Sequence, residues 1–314
     1  MSGDIAVVGA GGKLGPSLVR LAARALQEAG SRSTVYAVSR FGAPRAREAV
    51  EAEGVTVLPA DVTSERDLAG LPDVENVVFL VGEKFGSAEN QTSTWATNTY
   101  LPGRIAERYP HARIAALSTG TVYPLVSARS GGSVEEDPVG PIGDYAMSCV
   151  GRERIFAHFA DVHQSPLALI RLNYAVEMRY GVLVDLATMI LEDEPIDLSM
   201  SVANVVWQGY ANEVTLRSLV HAGIPPLTLN VTGPETFSIR YAAERLARLL
   251  GREARFAGEE GETAYLSNAT KCLGMFGYPE LTLDELIVHT AEWMLAGGAT
   301  LGKPTKFQKR DGKF

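Results

Sequence analysis

The sequence alternates between short apolar runs and segments in which apolar residues recur at helical spacing, from residue 5 to residue 172. Parallel strands that are joined through helices follow right-handed crossovers, so this alternation predicts a doubly wound parallel sheet. The length of 314 residues accommodates such a sheet and a smaller second lobe. We therefore expect an α/β fold of the Rossmann type with a C-terminal substrate lobe.

The predicted strands of the sheet are Ile5–Val8, Thr34–Val38, Val55–Leu58, Asn76–Val81, Ala112–Leu117 and Leu167–Leu172. The predicted helices between them lie near Leu14–Leu26, Pro44–Glu53, Ser64–Leu68, Gln91–Arg108 and Tyr145–Phe159. Beyond them we predict helices at Val182–Leu191, Ala211–Ala222 and Ile239–Leu250, and a strand at Leu227–Val231. The expected domains are a dinucleotide-binding domain at 1–173 and a substrate-binding lobe at 174–314. The lysine-rich tail Lys303–Lys313 is typical of a solvated terminus, with a phosphate-binding or subunit-contacting arm as the alternative.

Charge and cysteine content narrow the classes of partner. Lys and Arg number 29 against 37 Asp and Glu, a net charge of −8, so no basic surplus exists to neutralise a nucleic-acid backbone. Cys149 and Cys272 are too few for a disulfide framework, and no residue spacing indicates a metal site. No apolar run approaches the roughly 20 residues that span a bilayer. We expect a cytoplasmic protein without a metal, a membrane or a nucleic acid as partner.

Three glycines follow the first predicted strand in the pattern Gly9-x-x-Gly12-x-x-Gly15, with Lys13 and Leu14 inside the pattern. A turn without side chains lets the backbone approach a diphosphate, and the following helix presents its N–H groups there. Between a strand and a helix this spacing predicts a dinucleotide-binding turn, whereas a tight turn without a ligand is the alternative.

The residues that end the second and third strands bear on the type of cofactor. The second strand ends in Ser39-Arg40, where a carboxylate would accept hydrogen bonds from the ribose of NAD. Arg40 can instead pair with a 2′-phosphate, and Ser39 can donate to it, which favours NADP and leaves NAD possible. Arg40 facing solvent or stacking on adenine is the alternative. Asp61 and Val62 are placed to contact the adenine, although helix capping by Asp61 or Thr63 is also open.

The motifs together resemble those of the extended short-chain dehydrogenase/reductases, which include nucleotide-sugar epimerases and dehydratases. The resemblance rests on the glycine pattern, Asp61-Val62, Asn98, Ser118–Tyr123 and Tyr145–Ser148, which occur in the family's order. It implies that hydride moves to or from a nicotinamide ring while Tyr145 transfers a proton at a substrate hydroxyl. It also implies that Thr119 hydrogen-bonds to the same oxygen.

The chain departs from the family pattern four residues after the tyrosine, where the family has lysine and this chain has Cys149. The missing ammonium would lower the pKa of Tyr145, so without it the phenol is expected to stay protonated at neutral pH. Three residues could compensate for the missing ammonium. The first is Lys84, which follows Val81-Gly82 at the carboxyl end of the fourth strand, where Val81 and Gly82 are expected to contact the nicotinamide. Arg152 is a weaker candidate because it lies two helical turns from Tyr145. Cys149 could itself react, although a small buried thiol is the more ordinary role.

The resemblance also assigns residues to the substrate and to the rest of the cofactor. It implies that Asn98, Asn173 and Val176 contact the cofactor or its surroundings, with a helix-surface position as the alternative for Asn98. Asn173 is also a candidate substrate contact, together with Lys84 and Thr119. Arg179 could meet a substrate anion or pair with Glu177 or Asp185, and Trp207 could stack on a sugar or pack in a core.

These observations predict an NAD(P)-dependent oxidoreductase, epimerase or dehydratase that acts on a sugar, a sugar acid or a nucleotide-sugar alcohol. The alternative, which Cys149 keeps open, is a non-catalytic NAD(P)-binding sensor or partner subunit. Members of the family often form dimers through a four-helix bundle, to which each subunit contributes two long helices. The resemblance therefore implies a homodimer through the predicted helices Gln91–Arg108 and Tyr145–Phe159.

Overall fold

The computed structural model describes residues 2–42 and 44–313. The strands are β1 Ile5–Val8, β2 Val35–Ser39, β3 Val55–Pro59, β4 Asn76–Phe79, β5 Arg113–Thr119, β6 Val126–Ser127, β7 Leu167–Leu172, β8 Ala175–Val176, β9 Ile196–Asp197, β10 Val202–Ala203, β11 Val206–Trp207, β12 Leu227–Val231, β13 Phe237–Ser238, β14 Phe256–Ala257 and β15 Thr263–Ala264. The α-helices are α1 Gly15–Glu28, α2 Pro44–Glu48, α3 Glu65–Ala69, α4 Gln91–Trp95, α5 Leu101–Arg108, α6 Gly143–His163, α7 Val182–Leu191, α8 Gln208–Ser218, α9 Ile239–Leu250, α10 Thr270–Phe276 and α11 Leu283–Leu295.

The described residues form a seven-stranded sheet in the spatial order β12-β7-β5-β4-β1-β2-β3. β1 pairs in parallel with both β2 and β4, β2 pairs with β3, and β4 pairs with β5. The chain therefore winds outward in two directions from β1, which confirms the predicted doubly wound fold. The sheet has one strand more than predicted, because β12 extends it beside β7 instead of standing in the second lobe.

The long helix predicted at Gln91–Arg108 contains a π-helical segment, Ala96–Tyr100, between α4 and α5. Pro102 lies just after this segment, near the start of α5. Proline has no backbone N–H and its ring crowds the carbonyl four residues earlier, so the α-helical bonding pattern is interrupted here. The carbonyl that loses its partner belongs to Asn98, a predicted site residue.

The chain divides into two compact units, each built from three stretches of sequence. The first unit comprises residues up to Thr119, Gly143–Arg171 and Asn212–Leu229. The second unit comprises Gly120–Ile142, Leu172–Ala211 and the residues from Asn230 onward. The sequence-based division has a single boundary at 173, and the roles assigned to its two parts stay predictions. No helix within residues 2–42 and 44–313 combines the length and the apolarity that crossing a membrane requires.

The lysine-rich tail is anchored to the second unit, contrary to the expected solvated terminus. The Phe307 side chain is 1% exposed and belongs to the hydrophobic core formed with α7, α9 and α11. The backbone N–H and the hydroxyl of Thr305 both donate to Asp185, and Arg310 donates to the carbonyl oxygen of Ser199. The sequence did not predict this packing, because a single aromatic residue among five cations forms no periodic apolar pattern.

Replacing Phe307 by alanine should lower the free energy of unfolding by about 3–5 kcal/mol, the usual cost of removing a buried phenylalanine ring. The measurement is urea unfolding followed by circular dichroism. Tyr278→Ala is the control, because Tyr278 is 72% exposed and its loss should leave the unfolding midpoint unchanged. Equal midpoints for the two variants would show that the tail does not contribute to the core.

Candidate active site

The three glycines of the predicted turn have different surroundings. Gly9 has a φ of 96°, and a Cβ there would lie 3.0 Å from the backbone nitrogen of Val81. A Cβ on Gly15 would lie 2.1 Å from the carbonyl oxygen of Ala10, so only glycine lets α1 approach β1 this closely. Gly12 is exposed, and within 4 Å its Cβ would meet only the carbonyl oxygen of Gly9. Gly12 therefore keeps space open in front of the turn.

The helix that follows the turn offers its first N–H groups to an anion. Leu14 is the N-cap of α1 and makes no side-chain capping bond, Pro16 is the second residue of the helix, and the first turn carries no acidic residue. Uncapped N–H groups and the positive end of the helix dipole favour a diphosphate at this point. The turn and the start of α1 thus fit the dinucleotide predicted from the glycine spacing.

The end of β2 lies beside the same turn. A Cβ on Gly11 would lie 2.7 Å from the Ser39 hydroxyl oxygen, so Ser39 borders the turn directly. Arg40 is exposed, and its charge contributes to a lowered pKa of Asp61, after hydrogen bonds from the side chain and backbone of Thr63. The Asp61 carboxylate accepts both bonds at Oδ1, whereas the N-cap of α3 is Ser64. Helix capping therefore explains neither Asp61 nor Thr63.

Val62 and Val81 complete the predicted cofactor contacts of this unit. Val62 is buried in the hydrophobic core of the first unit, and Val81 is half-buried against the same core. Gly82, which follows Val81, is exposed. The structure therefore uses both valines for packing, and a contact of either with the adenine or the nicotinamide stays a prediction.

The first unit brings together Tyr145 and Thr119, the two residues to which the resemblance assigns the reacting oxygen. Thr119 ends β5 and Tyr145 lies in the first turn of α6, and their side chains are hydrogen-bonded. Burial raises the pKa of Tyr145 above its ordinary value, and the Cys149 thiol beside it adds to the rise. Arg152 acts in the opposite direction, as does the bond from Thr119. At neutral pH the phenol is protonated and can donate a hydrogen bond or a proton.

Cys149 is fully buried and is hydrogen-bonded to Tyr145. Burial raises the pKa of the Cys149 thiol, although the positive charge of Arg152 opposes that rise. A protonated and inaccessible thiol is a poor nucleophile. The position thus has the ordinary structural role that the sequence left open, as a partner of the Tyr145 hydroxyl.

Two lysines surround an exposed aromatic ring beside this pair. The Lys84 Nζ lies 5.8 Å from the centre of the Tyr145 ring and 5.7 Å from that of Phe85. The Lys13 Nζ, from the glycine turn, lies 5.2 Å from the Phe85 ring on which both ammonium groups converge. The structure therefore brings the predicted Lys13 and Lys84 to one place, with Lys84 next to Tyr145.

Asn98 is fully buried, so the helix-surface alternative is wrong. Its Oδ1 accepts from the Glu83 backbone N–H at 2.9 Å and from the Arg152 Nη2 at 2.8 Å. Its Nδ2 donates to the Glu83 carbonyl oxygen at 2.9 Å and to the Ser148 hydroxyl at 3.0 Å. The amide group thus has all its bonds with protein atoms, and a cofactor contact would have to replace one of them.

A buried ion pair, which the sequence analysis missed, lies next to these residues. Arg171 donates to both carboxylate oxygens of Glu153, at 3.0 and 2.8 Å, and the Ser118 hydroxyl donates to the same carboxylate at 2.5 Å. Glu153 and Arg152 fall on the same stripe of α6 as the buried Cys149 and Phe156. The position of Glu153, a charged residue on the apolar face of a helix, was the signal that could have identified it.

The remaining predicted residues belong to the second unit. The Asn173 Nδ2 donates to the Asn204 Oδ1 at 2.6 Å, and Val176 is buried in the core of that unit. The Arg179 Nε lies 2.7 Å from a carboxylate oxygen of Glu177, the ion pair that was one of its alternatives. Trp207 is half-buried and packs against the same core. Their contacts with a substrate stay predictions.

Comparison with known proteins identifies relatives in structure only. A scan against protein-family models gave no match, and a search of curated proteins gave none. UDP-glucuronic acid 4-epimerase from Bacillus cereus in complex with NAD is 18% identical, with a TM-score of 0.78 over 93% of this chain and 99% of that one. dTDP-glucose 4,6-dehydratase from Bacillus anthracis with NAD is 17% identical, with a TM-score of 0.78 over 93% and 96%. UDP-glucose 4-epimerase from Thermus thermophilus with NAD is 17% identical, with a TM-score of 0.76 over 92% and 98%. The chain therefore has the fold that these epimerases and this dehydratase share.

The burial of both cysteines predicts that neither reacts with a disulfide reagent in the folded protein at pH 7, whereas both thiols should react after unfolding in guanidinium chloride. Met147→Cys is the control, because Met147 lies on α6 and is 44% exposed. That variant should show one rapidly reacting thiol. Rapid reaction of Cys149 in the unmodified protein would contradict its buried, protonated state.

Proposed function

We propose that the chain is an NAD(P)-dependent oxidoreductase of the epimerase and dehydratase kind, acting on a nucleotide sugar or a related carbohydrate. The observation that supports it most is the hydrogen-bonded pair of Tyr145 and Thr119 in the unit that also carries the glycine turn. The three similar structures are nucleotide-sugar enzymes by name, each with NAD bound. Together these support a nicotinamide cofactor and a carbohydrate-like small-molecule substrate.

The first unit supplies a binding surface for the cofactor. Gly9, Gly12 and the first amides of α1 would hold the diphosphate, with the ammonium of Lys13 nearby. Ser39 and Arg40 would bind a 2′-phosphate, so we propose a preference for NADP. A reduced nicotinamide bound here would supply the hydride for reduction of a carbonyl carbon of the substrate.

Tyr145 would serve this reaction as the proton donor. Its phenol is protonated at neutral pH, and Thr119 and Cys149 orient its hydroxyl. During carbonyl reduction the Tyr145 O–H bond breaks, and the proton passes to the carbonyl oxygen as the hydride arrives at carbon. The resulting phenolate regains a proton from solvent. A raised pKa suits this direction better than the reverse one, in which Tyr145 would have to be ionised first.

We also propose a cytoplasmic homodimer. Both cysteines are free thiols, which suits a reducing compartment. Trp95, Tyr100 and Met147 are exposed apolar side chains on the helical face of α4, the π-helical segment and α6. A second copy that covers this face would remove them from water. Sedimentation at micromolar concentration should give twice the mass of the chain, and a monomer would exclude the dimer.

Titration calorimetry with NADPH and NADH tests the cofactor assignment after any co-purified nucleotide has been removed. We expect the tighter binding for NADPH, and Arg40→Ala should reduce this preference at least about tenfold, as expected for loss of a charge-assisted phosphate contact. Arg20→Ala is the control, because Arg20 is an exposed arginine on α1. If the protein binds neither nucleotide, the proposed cofactor dependence is wrong. If Arg40→Ala leaves the preference for NADPH unchanged, Arg40 does not bind the 2′-phosphate.

Tyr145→Phe tests the catalytic assignment. The variant lacks the proton donor, so turnover of a carbonyl substrate with NADPH should fall by at least about a hundredfold, the usual contribution of general acid catalysis. Affinity for NADPH should change little, and calorimetry measures it independently. Cofactor binding by the unmodified protein without turnover of any of a panel of nucleotide sugars would favour the alternative of a non-catalytic NAD(P)-binding protein.

A further inference from the structure

The Arg152 guanidinium is 5% exposed and is held by three hydrogen bonds. Its Nη1 donates to the Leu117 carbonyl oxygen at 2.7 Å, its Nη2 to the Asn98 Oδ1 at 2.8 Å, and its Nε to the Asn98 carbonyl oxygen at 3.3 Å. The last carbonyl is the one that Pro102 leaves without a helical partner. All three acceptors are neutral, and the guanidinium carbon lies 5.5 Å from the centre of the Phe79 ring, so the group is fixed in place without a negatively charged partner.

No carboxylate among the residues that the structure describes lies within ion-pair distance of Arg152. The adjacent Glu153 carboxylate is occupied by Arg171 and Ser118. Arginine is almost never buried without a charged partner, because moving an ion out of water costs several kcal/mol. A buried guanidinium without a carboxylate partner, on the same face of α6 as the Cys149 that bonds to Tyr145, is therefore a sign of a functional site.

The helix geometry explains how Arg152 reaches this position. Side chains on a helix tilt toward its N-terminus, so a long side chain at residue 152 extends back toward the turn that carries Cys149. Gly82 makes room for it, because a Cβ there would lie 3.0 Å from the Arg152 Nη2. The positive charge acts on both Tyr145 and Cys149. In the sequence Arg152 is two helical turns from Tyr145, but that separation of backbone positions does not include the reach of a long side chain.

We propose that Arg152 is a positioning residue that supplies, from three residues further along α6, the positive charge that the resemblance expects at position 149. This inference rests on the proposed function. The charge stabilises the phenolate that forms when Tyr145 gives up its proton. It also repels a cationic ring more than a neutral one, so the site should prefer the reduced nicotinamide to the oxidised one.

The other charged groups around Tyr145 are the same in every variant at Arg152. Glu153 and Arg171 form an ion pair, whereas the Glu83 carboxylate accepts from the hydroxyl groups of Ser93 and Thr97, which are neutral donors and leave its negative charge in place. Lys84 adds a second positive charge over the Tyr145 ring, in the half-buried loop after β4. The remaining titratable groups on α6 nearby are the neutral Cys149 thiol and Asp144, which accepts from the Trp95 indole.

The test is the ratio of dissociation constants for NADP⁺ and NADPH, measured by calorimetry in the unmodified protein and in two variants. Arg152→Met and Arg152→Lys both lose the guanidinium fork, but only the methionine variant loses the charge. We expect the preference for NADPH to fall about tenfold in Arg152→Met and to stay within about twofold in Arg152→Lys, because only the methionine variant removes a unit charge from the site. Arg154→Met, at an exposed arginine on the same helix, should leave the ratio unchanged.

A structural role alone would weaken both nucleotides equally in both variants, so equal ratios in Arg152→Met and Arg152→Lys would overturn the inference. If Arg152→Met does not fold, Cys149→Lys/Arg152→Met returns the charge to position 149 and should restore the NADPH preference. If Cys149→Lys/Arg152→Met folds but does not prefer NADPH to NADP⁺, the inference about Arg152 is wrong. If the unmodified protein binds neither NADP⁺ nor NADPH, the proposed function and this inference both fail. If it binds both, but the ratio of their dissociation constants is the same in the unmodified protein and in Arg152→Met, this inference alone fails.

Discussion

The parallel strands of the sheet end at one edge, and the candidate site of the first unit depends on this. β1, β4 and β5 are neighbours in register, so Gly9, the segment after Phe79 and Thr119 emerge beside one another. The backbone of Val81 lies so close to Gly9 that a Cβ on Gly9 would be 3.0 Å from the Val81 nitrogen. Residues that are more than a hundred positions apart in the sequence thus share one surface.

Asn98 connects that edge to the helices. Its amide bonds to the backbone of Glu83 after β4, to Ser148 on α6 and to the guanidinium of Arg152. Because buried polar groups cost free energy unless all their bonds are made, the satisfied amide holds these elements in one arrangement. The backbone carbonyl of Asn98, to which Pro102 offers no N–H, accepts a further bond from Arg152.

The chemistry of Tyr145 results from this packing. The departure from the family pattern at Cys149 removes an ammonium and places a neutral, buried thiol against the phenol hydroxyl. The positive charge of Arg152 lowers the pKa of Tyr145, and the Lys84 Nζ lies 5.8 Å from the centre of its ring. A protonated phenol between these groups is suited to giving a proton to a carbonyl oxygen that receives a hydride. The departure thus alters how Tyr145 is supported, and the pair that it forms with Thr119 is retained.

The sequence by itself determined the elements and their order, because the spacing of apolar residues is a local property. The bounds predicted for β1, β7, β12, α7 and α9 match those of the structure, and Gly9, Gly12 and Gly15 stand where the turn requires them. Only the tertiary structure decided that β12 joins the sheet, that Phe307 anchors the tail and that Arg152 lies buried without a carboxylate. These outcomes depend on which groups a folded chain brings together: the hydrogen-bond partners and the dielectric surroundings of a side chain come from distant segments, and no local pattern encodes them.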